Sequence, residues 1–151
     1  MIDRVAVVTG AGSGIGAATS KELAARGFLV IPTDIDGVSA DRIAQMCGSP
    51  ASYRLDVTDA EDVRATVESI VNAHGTPTVW VSNAGISKMQ RFLEISAEDF
   101  DQTIGVNLRG LFLTSQAAAR AMATSGNGGC IVNIASMAGK QGRVPFLADY
   151  V

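Results

Sequence analysis

The stretch that most constrains this chain is Thr9-Gly10-Ala11-Gly12-Ser13-Gly14-Ile15-Gly16, set directly behind the apolar run Val5-Ala6-Val7-Val8. Glycines lack a Cβ, so they permit a tight turn and let another backbone or a ligand come close. A helix starting among them points unpaired N–H groups and the positive end of its dipole at whatever lies in front. Strand, glycine turn and helix in that order form a seat for a dinucleotide pyrophosphate. A phosphate-loop NTPase is disfavoured, because no Lys-Ser/Thr pair follows the glycines. A methyltransferase stays open, since that class also uses a glycine-rich turn and an acidic residue after the second strand. An ordinary turn is the bland alternative.

Strand and helix signals alternate along the rest of the chain with short connections. Residues 4–9 read as a first strand. Residues 14–26 read as a helix, with Ile15, Leu23 and Ala24 on its buried side and Gly27 placed to end it. Residues 28–33 form a second strand closed by Asp34, residues 39–47 a helix ended by Gly48, and residues 52–55 a short strand. Thr58-Asp59-Ala60-Glu61 has the spacing of a capping box, with Val63, Val67, Ile70 and Val71 along one face of the helix behind it. Residues 78–81 make a strand running into Ser82-Asn83-Ala84-Gly85, with Trp80 in the core. Ser96 caps one long helix to about residue 122, with Ile104, Leu108, Leu111, Phe112 and Ser115 along a face. Residues 129–135 are the last strand.

Val/Ile-rich strands separated by amphipathic helices imply a parallel sheet covered on both faces. Right-handed crossovers then favour a doubly wound, three-layer α/β/α arrangement with strands ordered 3-2-1-4-5, one domain over residues 1–151. Ligands in such sheets sit beyond the carboxyl ends of the strands, where Thr9, Asp34, Asp56, Ser82 and Ser136 all fall.

Composition narrows the function classes. A net charge of −3 argues against a general nucleic-acid or anionic-membrane surface. Cys47 and Cys130 make no disulfide framework, and no Cys/His cluster has zinc-ligand spacing, so no metal is expected. No signal-peptide pattern opens the chain, and no apolar run approaches the roughly 20 residues that span a bilayer. The expectation is a cytoplasmic protein with neither nucleic-acid nor membrane partners.

Asp34 lies 18 residues beyond Gly16. A carboxylate there accepts hydrogen bonds from both hydroxyls of an adenine-linked ribose and repels a 2′-phosphate. Neither Ser13 nor Ile35 is basic, so the expected cofactor is NAD rather than NADP. The bland reading is that Asp34 caps the turn behind it. Asp56 is placed to hydrogen-bond the adenine amino group, or simply to open the next helix.

These residues together resemble the short-chain dehydrogenase/reductase family, whose fold is of the Rossmann type. Thr9 to Gly16 matches its Thr-Gly-x-x-x-Gly-x-Gly cofactor motif, so the resemblance implies cofactor contacts from Gly10, Gly12, Ser13, Gly14, Ile15 and Gly16. Asp34, with Ile35 beside it, matches the acidic position of NAD-dependent members, and Asp56-Val57 the pair that contacts adenine. Asn83-Ala84-Gly85 matches three residues of Asn-Asn-Ala-Gly, with Ser82 replacing the first asparagine. Asn107 matches the helix asparagine, Ser136 the catalytic serine, and Tyr150, 14 residues later, the catalytic tyrosine.

The resemblance implies reversible hydride transfer between a nicotinamide and a secondary alcohol or ketone. Tyr150 would be the general acid/base, Ser136 would hydrogen-bond the substrate oxygen, and Asn107 would hold a water in the proton path. An unperturbed tyrosine has a pKa near 10, and the family lowers it with a nearby lysine. That lysine would fall three residues beyond Val151. Together with the later strands it is expected to be missing, so an inactive NAD-binding fragment is the alternative reading. The resemblance further implies a homo-oligomer, dimer or tetramer, for the intact protein. Leu108, Leu111 and Phe112 are expected to lose part of their cover here, leaving the fragment prone to association. His74 reads as structural, and Met89 and Met137 flank cleft-side loops.

Overall fold

The computed structural model of the chain describes residues 4–140. Five strands, β1 (Val5–Thr9), β2 (Leu29–Asp34), β3 (Tyr53–Arg54), β4 (Val79–Ser82) and β5 (Cys130–Asn133), form one parallel sheet in the order β3-β2-β1-β4-β5. The expected doubly wound topology is the one observed. The connections are α1 (Gly14–Ala25), α2 (Gly37–Cys47) and α3 (Ala60–His74), followed after β4 by α4 (Ala97–Ile104) and α5 (Leu111–Ser125).

β1 is an unbroken apolar run because it is buried on both faces. Its alternation divides the core. Val5 and Val7 join Ile31 and Trp80 beneath Val67 and Ile70 of α3 and Ala118 and Met122 of α5. Ala6 and Val8 turn the other way, towards Val30, Val81 and, on α1, Leu23 and Ala24. A third cluster, Leu55, Val57 and Val63, lies just behind β3.

Pro32 sits in the middle of β2 and has no N–H to give. The N–H of Leu29 donates to Arg4, so by alternation the odd residues of β2 address β1 and Pro32 faces β3. Pairing on that side covers only Thr33 and Asp34, opposite Tyr53 and Arg54. The proline therefore costs no ladder bond, and β3 is two residues rather than the expected four.

Three local expectations need correction. Asp59, not Thr58, caps α3, accepting the N–H groups of Glu61 and Asp62. A carboxylate one residue later serves the same dipole end, and Thr58 is held instead by Asp56. The single long helix from Ser96 is α4, a π-helical turn at Gly105–Gly110, and then α5, which runs to Ser125. Finally, Ile15 is 64% exposed rather than on the buried side of α1.

Candidate functional site

The strand order reverses between β1 and β4, and the loops leaving these two strands are tied together. Thr9 Oγ1 accepts the N–H groups of Asn83 and Ala84, each at 3.0 Å. Asn83 Nδ2 donates to the carbonyls of Thr9 and Gly10 at 2.9 and 3.1 Å. Gly10 has φ +61°, and a Cβ there would lie 2.8 Å from Ala84 Cα. A Cβ at Gly16 would run into the Gly10 carbonyl oxygen and reach Asn83 Nδ2 at 2.5 Å. Glycine is required at both positions because the two loops touch.

The outer side of the glycine loop is open. Ser13 offers no side-chain cap to α1, whereas Asp36, Asp59 and Ser96 cap α2, α3 and α4. Apart from its chain neighbours and the backbone of α1, nothing lies within 4 Å of the Cβ position of Gly14. Ser13, Gly14 and Ile15 line a cleft of about 1190 Å³ along the carboxyl edge of the sheet. An uncapped helix start facing a cleft suits an anion, and a pyrophosphate in particular. The exposure of Ile15 follows from this, since it forms cleft wall rather than core.

Asp34 carries one carboxylate oxygen on the Gly12 N–H at 2.8 Å and the other on the Asp36 N–H at 3.0 Å. It thus caps the turn and braces the glycine loop while still lining the cleft, where both its oxygens keep lone pairs for hydroxyl donors. Ile35, Asp56 and Val57 continue the same wall. The Thr58 hydroxyl and then its N–H, both on Asp56 Oδ1, hold the Asp56 carboxyl below its usual range, so it is an anion at neutral pH. Among the described residues lining the cleft, Asp34 and Asp56 alone carry charge.

At the other end lie Asn83, Ala84, Gly85, Asn107 and Ser136. Asn107 is on the π-helical turn, a distortion often found at functional positions. Its amide clamps the loop after β4: Oδ1 accepts the Ile86 N–H and Nδ2 donates to the Ile86 carbonyl, both at 2.9 Å. Ser136 Oγ accepts the Ala138 N–H at 3.1 Å, which leaves its own O–H to donate elsewhere. Gly12 and Gly16 are buried beneath the cleft floor rather than lining it. Tyr150 lies outside the described residues.

The departure at Ser82 is absorbed by hydroxyls. Ser82 Oγ lies 3.1 Å from Ser115 Oγ and 3.4 Å from Thr114 Oγ1. Ser115 donates to Asn133 Oδ1 at 3.0 Å and Thr114 to the Gly110 carbonyl at 2.9 Å. Ser82 therefore connects β5, three residues ahead of Ser136, to the end of the turn that carries Asn107.

The family model described as short chain dehydrogenase matches residues 4–150. The chain belongs to this family. A mouse protein named (3R)-3-hydroxyacyl-CoA dehydrogenase is 41% identical over 152 residues, 93% of this chain and 59% of its own length. A crystal structure of a short-chain type dehydrogenase/reductase from Mycobacterium marinum superposes with TM-score 0.93 at 34% identity, covering 97% of this chain and 62% of that one. A structure of NAD+-bound xylitol dehydrogenase superposes with TM-score 0.90 at 36% identity, covering 98% and 58%. This chain spans about three-fifths of the length of each.

Sequence reasoning did not single out Thr9 as the tie between the loops, nor Arg42 of α2, whose Nη2 donates to the Gly12 carbonyl at 3.0 Å. It also passed over Ile86, Ser87 and Gln102, which line the cleft, and it placed Leu111 on an uncovered face although Leu111 lines the cleft as well. Motif spacing signalled only Thr9. Among the described residues no cluster of metal-ligating side chains occurs, and no helix is long and apolar enough to cross a membrane.

Proposed function

We propose that this chain is the cofactor-binding portion of an NAD-dependent oxidoreductase acting on a secondary alcohol or the corresponding ketone in the cytoplasm. One observation carries the reading: a single cleft joins an uncapped helix start and the Asp34 carboxylate at one end to Asn107 and Ser136 at the other. The cleft crosses the switch point of the sheet, where doubly wound folds take a dinucleotide. NAD, when bound, supplies or accepts the hydride.

The chain's own residues place and polarise. The first turn of α1 holds the pyrophosphate with backbone N–H groups. Asp34 accepts the ribose hydroxyls and repels a 2′-phosphate, and Ile35 and Val57 flank the adenine. The carboxylate of Asp56 accepts from the adenine amino group. Ser136 donates its free O–H to the substrate oxygen and stabilises the charge that develops there. Asn107 fixes the loop over the cleft and would hold a water in the proton path, and Tyr150 would exchange the proton with the substrate oxygen.

The test is a titration of the folded chain with NADH, NADPH and S-adenosylmethionine, read by protection against thermal unfolding. NADH should protect strongly and NADPH weakly. Protection by S-adenosylmethionine alone would overturn the reading in favour of a methyltransferase. Alcohol-dependent formation of NADH, carried out on the protein together with any residues that follow Val151, then separates an oxidoreductase from a protein that binds NAD without turnover.

A further inference from the structure

Gly12 is buried, and both of its backbone groups are taken by other elements. Its N–H donates to Asp34 Oδ2 at the end of β2 at 2.8 Å, and its carbonyl accepts from Arg42 Nη2 of α2 at 3.0 Å. A Cβ on Gly12 would meet Ser39 Cβ of α2 at 2.7 Å and Asp34 Oδ2 at 2.9 Å. The glycine loop is therefore gripped from its far side by β2 and α2 together.

That grip matters for the side facing the cleft. The peptide joining Gly12 to Ser13 is trans, as are all those among the described residues. In a trans peptide the C=O and N–H point in opposite directions. By drawing the Gly12 carbonyl towards α2, Arg42 turns the Ser13 N–H away from α2, and Ser13 lines the cleft. A free carbonyl at this point could instead rotate towards the cleft and present negative charge to the anion that the start of α1 attracts. Arg42 thus decides which end of one peptide dipole the ligand meets.

We propose that Arg42 is a positioning residue for the dinucleotide, acting on the pyrophosphate through the Gly12–Ser13 peptide rather than by its own charge. The proposal rests on the dinucleotide reading above. It also separates the cofactor into parts: ligands with phosphates should feel Arg42, and a bare nucleoside should not.

The experiment is calorimetric titration of the wild-type chain, Arg42→Ala and Arg42→Lys with NAD, ADP and adenosine, at low and high salt. Arg42→Ala is expected to weaken NAD and ADP about tenfold, the effect of one charge-assisted hydrogen bond. Adenosine should change less than twofold, and the ratio of wild type to Arg42→Ala should be insensitive to salt. Arg42→Lys keeps a donor of sufficient reach and should restore most of the affinity. Equal losses for ADP and adenosine would mean that Arg42 only supports α2, and a loss that vanishes at high salt would mean direct attraction to the phosphates. Either result overturns the proposal, as does unchanged NAD affinity in Arg42→Ala. If wild type itself ignores NAD, the dinucleotide reading falls as well.

Discussion

Gly16 and Gly14 are two residues apart in one motif, yet the structure assigns them opposite reasons for being glycine. At Gly16 the obstacle is space: a Cβ would strike the Gly10 carbonyl oxygen and press on Asn83 Nδ2. Gly16→Ala must displace that amide, which holds the carbonyls of Thr9 and Gly10. Two such bonds contribute about 1 kcal/mol each, and overfilling a close-packed site costs about 1–3 kcal/mol more. The expected loss is about 3–5 kcal/mol. At Gly14 there is room, and only the backbone objects, with φ +51°. Gly14→Ala should cost about 1–2 kcal/mol. For a chain of this size each kcal/mol moves the thermal midpoint by about 2–4 °C, so the two variants should be well separated. Urea and thermal unfolding followed by circular dichroism would measure both. If Gly16→Ala unfolds within error of Gly14→Ala, the contact between the two loops is not what the structure makes it.

Three other outcomes are expected. Lys88, and after it Gln90, hold the Asp99 carboxyl down to about 2, so the latch between the loop after β4 and α4 is whole above the ordinary aspartate value of 3.8 and is lost as pH falls from there towards 2. Carboxyl NMR of Asp99 should show that midpoint, and a midpoint near 4 would refute the latch. Ser82→Ala should lower stability by about 1 kcal/mol in urea, because it removes the buried hydroxyl that links Ser115 and Thr114 of α5 to β4. No measurable change would show that the hydroxyls do not act together. Leu108 and Phe112 are 61% and 56% exposed, so Leu108→Lys combined with Phe112→Lys should reduce association in light scattering, and unchanged particle size would place the sticking surface elsewhere.

The sheet order was legible because β1, β2, β4 and β5 are short, mainly apolar runs that end in a polar residue, with helical segments between them. The glycine motif and Asp34 were legible for a related reason: they sit on consecutive strand ends, where chain order alone fixes position. The π-helical turn was not, since its i→i+5 bonding is a backbone register that no residue type around Asn107 announces. The α3 cap was misplaced by one residue because Thr58 and Asp59 both cap well, and only Asp56 decides between them by engaging Thr58. Ile15 misled for a different reason. It shares its helical phase with the exposed Ala18 and Glu22, and at the first turn of α1 that phase borders the cleft, where a ligand rather than the core would cover it. Arg42 left no trace in the sequence, because an arginine on an exposed helix face ordinarily means solvation.

The central claim is that an adenine dinucleotide lies along one cleft from Asp34 to Ser136. Amide hydrogen exchange of the folded chain with and without saturating NADH tests it most directly. New protection is predicted at residues 12–16, 34–35, 56–58 and 83–86, with little change in the groove of about 480 Å³ that Val67 and Val71 of α3 line with Ala117 and Ala121 of α5. Protection confined to that groove, or none anywhere at saturation, would contradict it.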